Sequence, residues 1–171
     1  DYRRMWVFAF DMALHAGDFA FTFDGGISPK RIMYSETFTA HAMPLLHLSG
    51  GIQYTYGTSW YVSLAPYLFV VWPAAGTPAL LEFDEHGDVH TSWGLIALVR
   101  KTFLDEDLKI EIVGFWGASK GDYGGLAQVE YNLLDYHHFS LGIQLLGGPE
   151  HSLIGPFQTD DRLFVSYRFT F

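Results

Sequence analysis

Apolar and polar side chains alternate along most of this chain, and residues 161–171 give the clearest case. Every second position there is apolar: Leu163, Val165, Tyr167, Phe169 and Phe171. The positions between them are mostly polar. A two-residue period is the pattern of a β-strand with two unlike faces. This stretch is therefore predicted to be a strand with one apolar and one polar face.

The same alternation recurs in eight earlier segments, so nine antiparallel strands are predicted. These segments are residues 5–14, 19–24, 46–55, 60–70, 93–104, 107–116, 123–134 and 138–146. Residues 73–90 and 147–160 contain Gly, Pro and polar runs and are predicted to be long loops, and residues 25–42 are predicted to be a long loop with some strand extension. The remaining connections are short, except for an intermediate one at residues 117–122. Short and long connections alternate, which places the long loops at one end of the sheet.

The strand lengths and the absence of a long apolar run together predict the fold class. A membrane helix needs about 18 consecutive apolar residues, which this sequence lacks, so any span must be a strand. Tilted membrane strands have about 9–11 residues, as most of these segments do. We therefore predict an all-β protein, an antiparallel transmembrane β-barrel in which residues 1–171 form one domain. Because bacterial single-chain barrels have even strand numbers, at least one further strand is predicted to precede residue 1, within a larger barrel.

The parity of each strand predicts which face meets lipid and which lines a lumen. The apolar class is predicted to face lipid: Trp6, Phe8, Phe10, Leu46, Leu48, Val62, Leu64, Ile110, Ile112, Val129, Leu141, Ile143, Val165, Tyr167 and Phe169. A charge on the lipid side would cost about 2–4 kcal/mol near the midplane. The opposite class is therefore predicted to line a polar lumen: Tyr61, Tyr67, Arg100, Lys109, Glu111, Gln128, Glu130 and Arg168.

Turn positions fix the predicted register of the charged strands. A tight turn at residues 105–106 sets Arg100 opposite Glu111, and pairing Trp116 with Tyr123 sets Lys109 opposite Glu130. A ladder of alternating charge along the inner wall is the prediction. A one-residue shift would put all of these charges on the apolar face.

Composition narrows the class of partner. Aromatic residues make up 18% of the chain, which suits rings at membrane interfaces. The formal net charge of −9 disfavours a nucleic-acid partner. The sequence contains no phosphate-binding loop and no Cys, and no cofactor is predicted.

The closing strand resembles the assembly signal of bacterial outer-membrane β-barrels, a terminal Phe preceded by apolar residues at every second position. The residues that would form the signal are Val165, Tyr167, Phe169 and Phe171. From Ala97 onward the chain also resembles the C-terminal part of a poorly characterised, porin-like family of Gram-negative outer-membrane barrels. The matching pieces are residues 100–104, 120–123, 147–150, 155–157, 160–162 and 167–171. Known members are considerably longer. The resemblance implies location in the bacterial outer membrane, with outer-membrane lipid and the barrel-assembly machinery as partners.

Two short motifs could carry other chemistry. His47 and Ser49 share a strand face, an arrangement similar to the base and nucleophile of outer-membrane lipid A deacylases, although no carboxylate can be assigned to orient the imidazole. In residues 84–90, the side chains of Asp84, His86, Asp88 and His90 could ligate a metal, although the spacing matches neither an EF-hand nor a His-Glu-x-x-His pair. The simpler interpretation of His47 and Ser49 is polar lining of the lumen, and that of residues 84–90 is a solvated loop. Neither a catalytic nor a metal site is therefore predicted.

Three functions remain after this reasoning. The first is a porin-like channel or solute-uptake barrel whose charged lumen selects small solutes, with long loops narrowing the mouth. The second is a structural or docking barrel within a larger outer-membrane complex. The third is an enzyme acting on outer-membrane lipid.

Overall fold

A computed structural model of the chain describes residues 6–80, 83–86, 88–134, 136–150, 152 and 154–170. This part of the chain contains ten strands and one short 3-10 helix, Gly155–Phe157. The strands are β1 (Phe8–Ala16), β2 (Phe19–Tyr34), β3 (Ala40–Tyr56), β4 (Trp60–Val71), β5 (Asp84–His86), β6 (Val89–Phe103), β7 (Leu108–Gly117), β8 (Asp122–Leu133), β9 (His137–Gly147) and β10 (Arg162–Phe169). No helix among these residues is long and apolar enough to cross a membrane.

The strands form one antiparallel sheet in which neighbours in sequence are neighbours in space. The order is β1-β2-β3-β4-β6-β7-β8-β9-β10, and β5 lies off this path as a short hairpin with the start of β6. The all-β, antiparallel prediction is confirmed. The predicted nine strands correspond to this path, and β5, which lies within a predicted loop, was missed.

The sheet is not closed into a barrel. Among the described residues, β1 pairs only with β2 and β10 pairs only with β9, so each leaves one edge unpaired. In an antiparallel path of nine strands, the first and last run in the same direction. They therefore cannot close an antiparallel ring by pairing directly with each other.

Residues 25–42, predicted to be a long loop with some strand extension, are mostly strand, so the loop part of that prediction is wrong. β2 continues to Tyr34 and β3 begins at Ala40, so only residues 35–39 connect them. Gly25 does not break the strand, because its missing side chain leaves room for the ring of Phe10 on β1. Pro29 lies in a shift of register between Ser28 and Arg31. A bulge tolerates Pro because the extra residue needs no ladder hydrogen bond.

The one buried apolar cluster found in the described chain lies near the long-loop end of β3 and β4. It consists of Met43, Leu45, Val71, Leu80 and Phe83. Leu80 and Phe83 belong to the connection after β4, which folds back against the sheet. This connection is held at Ser35, which forms a bridge with Leu80, and at Glu36, whose N–H donates to the carbonyl of Ala79.

Candidate functional site

All eight predicted lumen-lining side chains fall on one face of the sheet, named here the polar face. One row of cross-strand partners crosses four strands and contains Tyr61, Arg100, Glu111 and Gln128. Lys109 and Glu130 face each other in the next row on the same side. The even spacing from Tyr61 to Tyr67 along β4, and the pairing of β9 with β10, put Tyr67 and Arg168 on this face as well. The strand register shows that these eight side chains share one face of the sheet. That this face lines a lumen is a prediction.

The first predicted ion pair is present. Arg100 pairs with Glu111, with 2.6 Å between Nη2 and Oε2, and Arg100 Nε donates to the same oxygen at 2.7 Å. The ring of Tyr61 lies against the guanidinium, with its centroid 5.7 Å from Cζ. Two strands therefore hold the Arg100 side chain, one through a carboxylate and one through an aromatic face.

Glu130 is the centre of the second group of charges. Lys109 Nζ lies 2.8 Å from Glu130 Oε2, which confirms the second predicted pair. Arg168 Nη2 lies 4.0 Å and His138 Nδ1 3.9 Å from Oε1. His138 Nδ1 also lies 2.6 Å from Asn132 Oδ1, an acceptor, so Nδ1 carries the proton of this hydrogen bond. The predicted ladder thus extends across β9 to β10.

On β1 to β3 the polar face carries a pair of like charges. Asp11 and Asp24 are directly opposite each other across β1 and β2. Ser49 Oγ on β3 donates to Asp24 Oδ2 at 3.5 Å. The parity of Ala20, Thr22 and Asp24 along β2 is the sequence signal that places Asp24 on this face.

A cavity of about 390 Å³ opens on the polar face near the long-loop end. Its wall is largely aromatic and aliphatic, with a few polar groups among them, and is formed by Tyr67, Phe69, Ser92, Ile96, Phe115, Gly117, Ser119, Lys120, Asp122 and Ile154. The Tyr67 phenol lies over Gly94 of β6. A Cβ atom at Gly94 would be only 2.5 Å from the Tyr67 hydroxyl oxygen, so the glycine leaves room for this ring. The connection between β9 and β10 contributes Ile154. Of these wall residues, only Tyr67 was predicted from sequence.

Asp122 is the unusual group in this wall. The residue is 8% exposed, and its Oδ1 has no hydrogen-bond donor among the described residues. Ser152 lies close to Asp122 but donates no hydrogen bond to it, because its single hydroxyl proton is donated to the carbonyl of Pro149 at 2.6 Å. An unsatisfied buried acceptor costs about 1–3 kcal/mol, and more when it is charged. Sequence reasoning assigned this residue to a polar turn.

Neither alternative motif assembles a familiar site. Ser49 bonds to Asp24, and the described residues show no hydrogen bond between it and His47, whose ring lies beside Phe69. A base must reach its nucleophile, so this geometry does not support the hydrolase alternative.

The weak metal candidates are distributed over both sides of the β5–β6 hairpin. Asp84 pairs with Thr91 on one face of the hairpin. The next pair, Glu85 with His90, lies on the opposite face. Asp88 lies in the turn, and the His86 side chain lies outside the described part of the structure. No group of three or more metal-ligating side chains occurs in the part of the chain that the structure describes.

The opposite face, named here the apolar face, carries the side chains predicted to meet lipid, apart from Trp6, which precedes β1. On β9 the apolar residues are the more exposed ones: Leu141 is 51% and Ile143 43% exposed, while Gly142 between them is buried. Three of the predicted assembly-signal residues, Val165, Tyr167 and Phe169, are also exposed on this face. Phe171 lies outside the described residues.

Aromatic rings concentrate at both ends of the apolar face. At the short-turn end, Phe139 and Tyr167 lie 5.1 Å apart between centroids. At the long-loop end, Trp93 and Trp116 meet edge to face at 5.9 Å. Aliphatic residues and Gly occupy most of the rows between these rings on β6 to β9.

Comparison of the chain with protein-family models, with curated proteins and with solved structures gives no match. The resemblance to porin-like barrels therefore rests on the sequence motifs alone.

Proposed function

We propose that this chain forms part of the wall of an outer-membrane β-barrel, with the apolar face against lipid and the polar face towards an aqueous lumen. The observation that supports this most directly is the inverted exposure of the strands. Large apolar side chains are exposed along nearly every strand of the path, while polar residues on the other face are partly covered. Water-soluble monomers rarely expose a continuous apolar surface of this extent.

The height of the apolar face suits a bilayer. Trp93 and Phe103 mark its two ends on β6 and lie ten residues apart. Ten residues of strand span about 33 Å, which becomes about 25 Å at a tilt of about 40°. The lipid-facing band of outer-membrane barrels is about 25 Å tall, with aromatic rings at both borders.

The two open edges of the described sheet support a larger barrel with an even number of strands. Antiparallel closure around the nine-stranded path of the described residues requires an odd number of further strands between β10 and β1. Those strands belong to the same polypeptide or to a partner chain. An unpaired strand edge offers a row of N–H and C=O groups that such strands would satisfy.

Within this barrel, we propose that the polar face lines a solute channel. The paired charges from Arg100 to Glu130 would give the lumen wall a fixed pattern of charge. The connection after β4 folds onto the polar face at the long-loop end and would narrow the mouth.

Conductance in planar lipid bilayers tests the channel. The full polypeptide is expected to give discrete conductance steps, and replacing Glu111 and Glu130 together with Lys is expected to shift selectivity towards anions. Unchanged selectivity in a folded double variant would remove these residues from the conducting path.

The open edges also favour a second function, a docking barrel completed by another chain of an outer-membrane complex. That function predicts membrane insertion without conductance steps. Vesicle flotation of the same preparation separates the two, because insertion with no conductance supports docking and the absence of insertion contradicts both.

A further inference from the structure

We propose that the cavity on the polar face binds a small organic molecule that carries an ammonium group on an apolar body. The inference goes beyond the proposed channel or docking function, because binding requires only the folded chain. It stands on the shape of the cavity, on its aromatic wall and on the buried carboxylate of Asp122.

The cavity has the size and surface of a small-molecule site. Its volume of about 390 Å³ lies within the range of about 300–1,000 Å³ typical of such sites. Phe69, Ile96, Phe115 and Ile154 give it apolar sides that come from three different strands and one loop. An apolar body of one ring or a short branched chain would be covered on several sides by these residues.

Asp122 supplies the polar group that selects the ligand. Its carboxylate is buried, and its Oδ1 lacks a donor among the described residues. The other charged group in the wall, Lys120, lies 3.9 Å from Glu36 Oε1 on the connection between β2 and β3. Lys120 thus has Glu36 as its carboxylate partner, and no cation forms an ion pair with Asp122 among the described residues.

An ammonium group matches this environment better than a neutral or anionic group. It has three donors and no acceptor, so it can bond a carboxylate without leaving another group unsatisfied. Aromatic faces such as those of Tyr67 and Phe115 also attract cations. A hydroxyl group could donate one hydrogen bond but would leave the buried charge uncompensated, and an anion would be repelled.

Calorimetric titration of the full polypeptide in detergent micelles tests the inference with three probes of similar size: 2-phenylethylammonium, 2-phenylethanol and 3-phenylpropanoate. The ammonium probe is expected to bind about 10- to 100-fold more tightly than the alcohol, the range for one charge-assisted hydrogen bond. Asp122→Asn keeps the shape of the side chain and should abolish this preference. Asp160→Asn, an exposed carboxylate on the β9–β10 connection, should keep it.

A second variant locates the binding in the cavity. Ile96→Trp fills the space from the β6 side and leaves Asp122 unchanged, so it should weaken the binding of both the ammonium and the alcohol at least about tenfold. Equal affinity of the native chain for ammonium and alcohol would overturn the proposal. A preference that survives in folded Asp122→Asn, or binding unaffected by Ile96→Trp, would overturn it as well. If Asp122→Asn does not fold, the native probe comparison and Ile96→Trp still decide the outcome.

Discussion

On the polar face, residues that lie directly opposite each other on neighbouring strands carry opposite charges in one region and like charges in another. On β6 to β8, the cross-strand partners Arg100 and Glu111, and Lys109 and Glu130, are opposite charges in direct contact. On β1 and β2, the cross-strand partners Asp11 and Asp24 are like charges. Directly opposed residues interact by about 0.2–1 kcal/mol, with a sign set by their charges. The charges therefore stabilise the register on β6 to β8 and oppose it on β1 and β2.

Besides the hydrogen bonds of their antiparallel ladder, β1 and β2 are in contact through aromatic side chains on the apolar face. Phe10 on β1 contacts Phe23 on β2 at 5.6 Å between centroids, one row from the two carboxylates. β1 is exposed along its whole length, and one of its edges is unpaired among the described residues. In the proposed barrel the next strand would cover this edge and could supply a cation facing Asp11.

The largest effect is expected where a paired charge is reversed. Glu130→Lys would place a cation opposite Lys109 and near Arg168, exchanging a favourable row for an unfavourable one. The free energy of unfolding should fall by about 1–2 kcal/mol, the sum of the lost attraction and the new repulsion. Urea unfolding in detergent micelles measures it.

Gln128→Lys is the matched control for this reversal. It introduces the same side chain on the same strand and face, one row away and opposite Glu111. Little change or a small gain is expected. Equal losses in the two variants would mean that any added Lys is harmful and that pairing has no part in it.

An exchange of partners should produce the next largest effect. Arg100→Glu alone sets two carboxylates opposite each other and should lower the free energy of unfolding by about 0.5–1.5 kcal/mol. The double variant, with Glu111→Arg added, restores an opposite pair. The cycle of both single variants and the double variant should yield a coupling energy of about 1–3 kcal/mol, because each single reversal carries the full loss and the double variant restores the pair. Additive effects within error would contradict a direct interaction.

Relief of the like-charge pair should give a smaller effect of the opposite sign. Asp24→Asn removes one of the facing charges and retains a hydrogen-bond acceptor for Ser49, so the free energy of unfolding should rise by about 0.2–1 kcal/mol. The gain should shrink in 1 M salt, where the screening length is about 3 Å. Asp18→Asn in the neighbouring turn should give no such gain, and a loss of stability in Asp24→Asn would indicate an attractive role for that carboxylate.

The contrast between the two regions also explains what could be predicted from the sequence. Strict alternation and the tight turn before Asp107 fixed the face and register of Arg100, Lys109, Glu111 and Glu130, because a register shift of one residue would move every charge. Residues 25–42 were misassigned because Gly and Pro usually interrupt strands, whereas here they accommodate a neighbouring ring and a bulge. The surroundings of Asp122 could not be predicted, since they depend on how a long loop folds back against distant strands.

The smallest effect concerns Lys101, a cation that has no carboxylate partner among the described residues. Lys101 lies on the apolar face opposite Trp60 on β4 and Ile110 on β7. Its Nζ lies 4.2 Å from the centroid of Trp60 and 4.8 Å from that of Phe103. Aromatic rings thus take the place that carboxylates have on the polar face, at the short-turn border of the proposed lipid-facing band.

Lys101→Met should lower the free energy of unfolding by about 0.5 kcal/mol, as for an exposed cation–π contact. Lys101→Arg should keep most of the stability, since a guanidinium also stacks on Trp. The change should persist in 1 M salt more than that of Asp24→Asn, because the cation and the ring are in direct contact. If Met stabilises the chain in lipid vesicles, this row lies within the hydrocarbon region, and the short-turn border of the band must be placed closer to the turns.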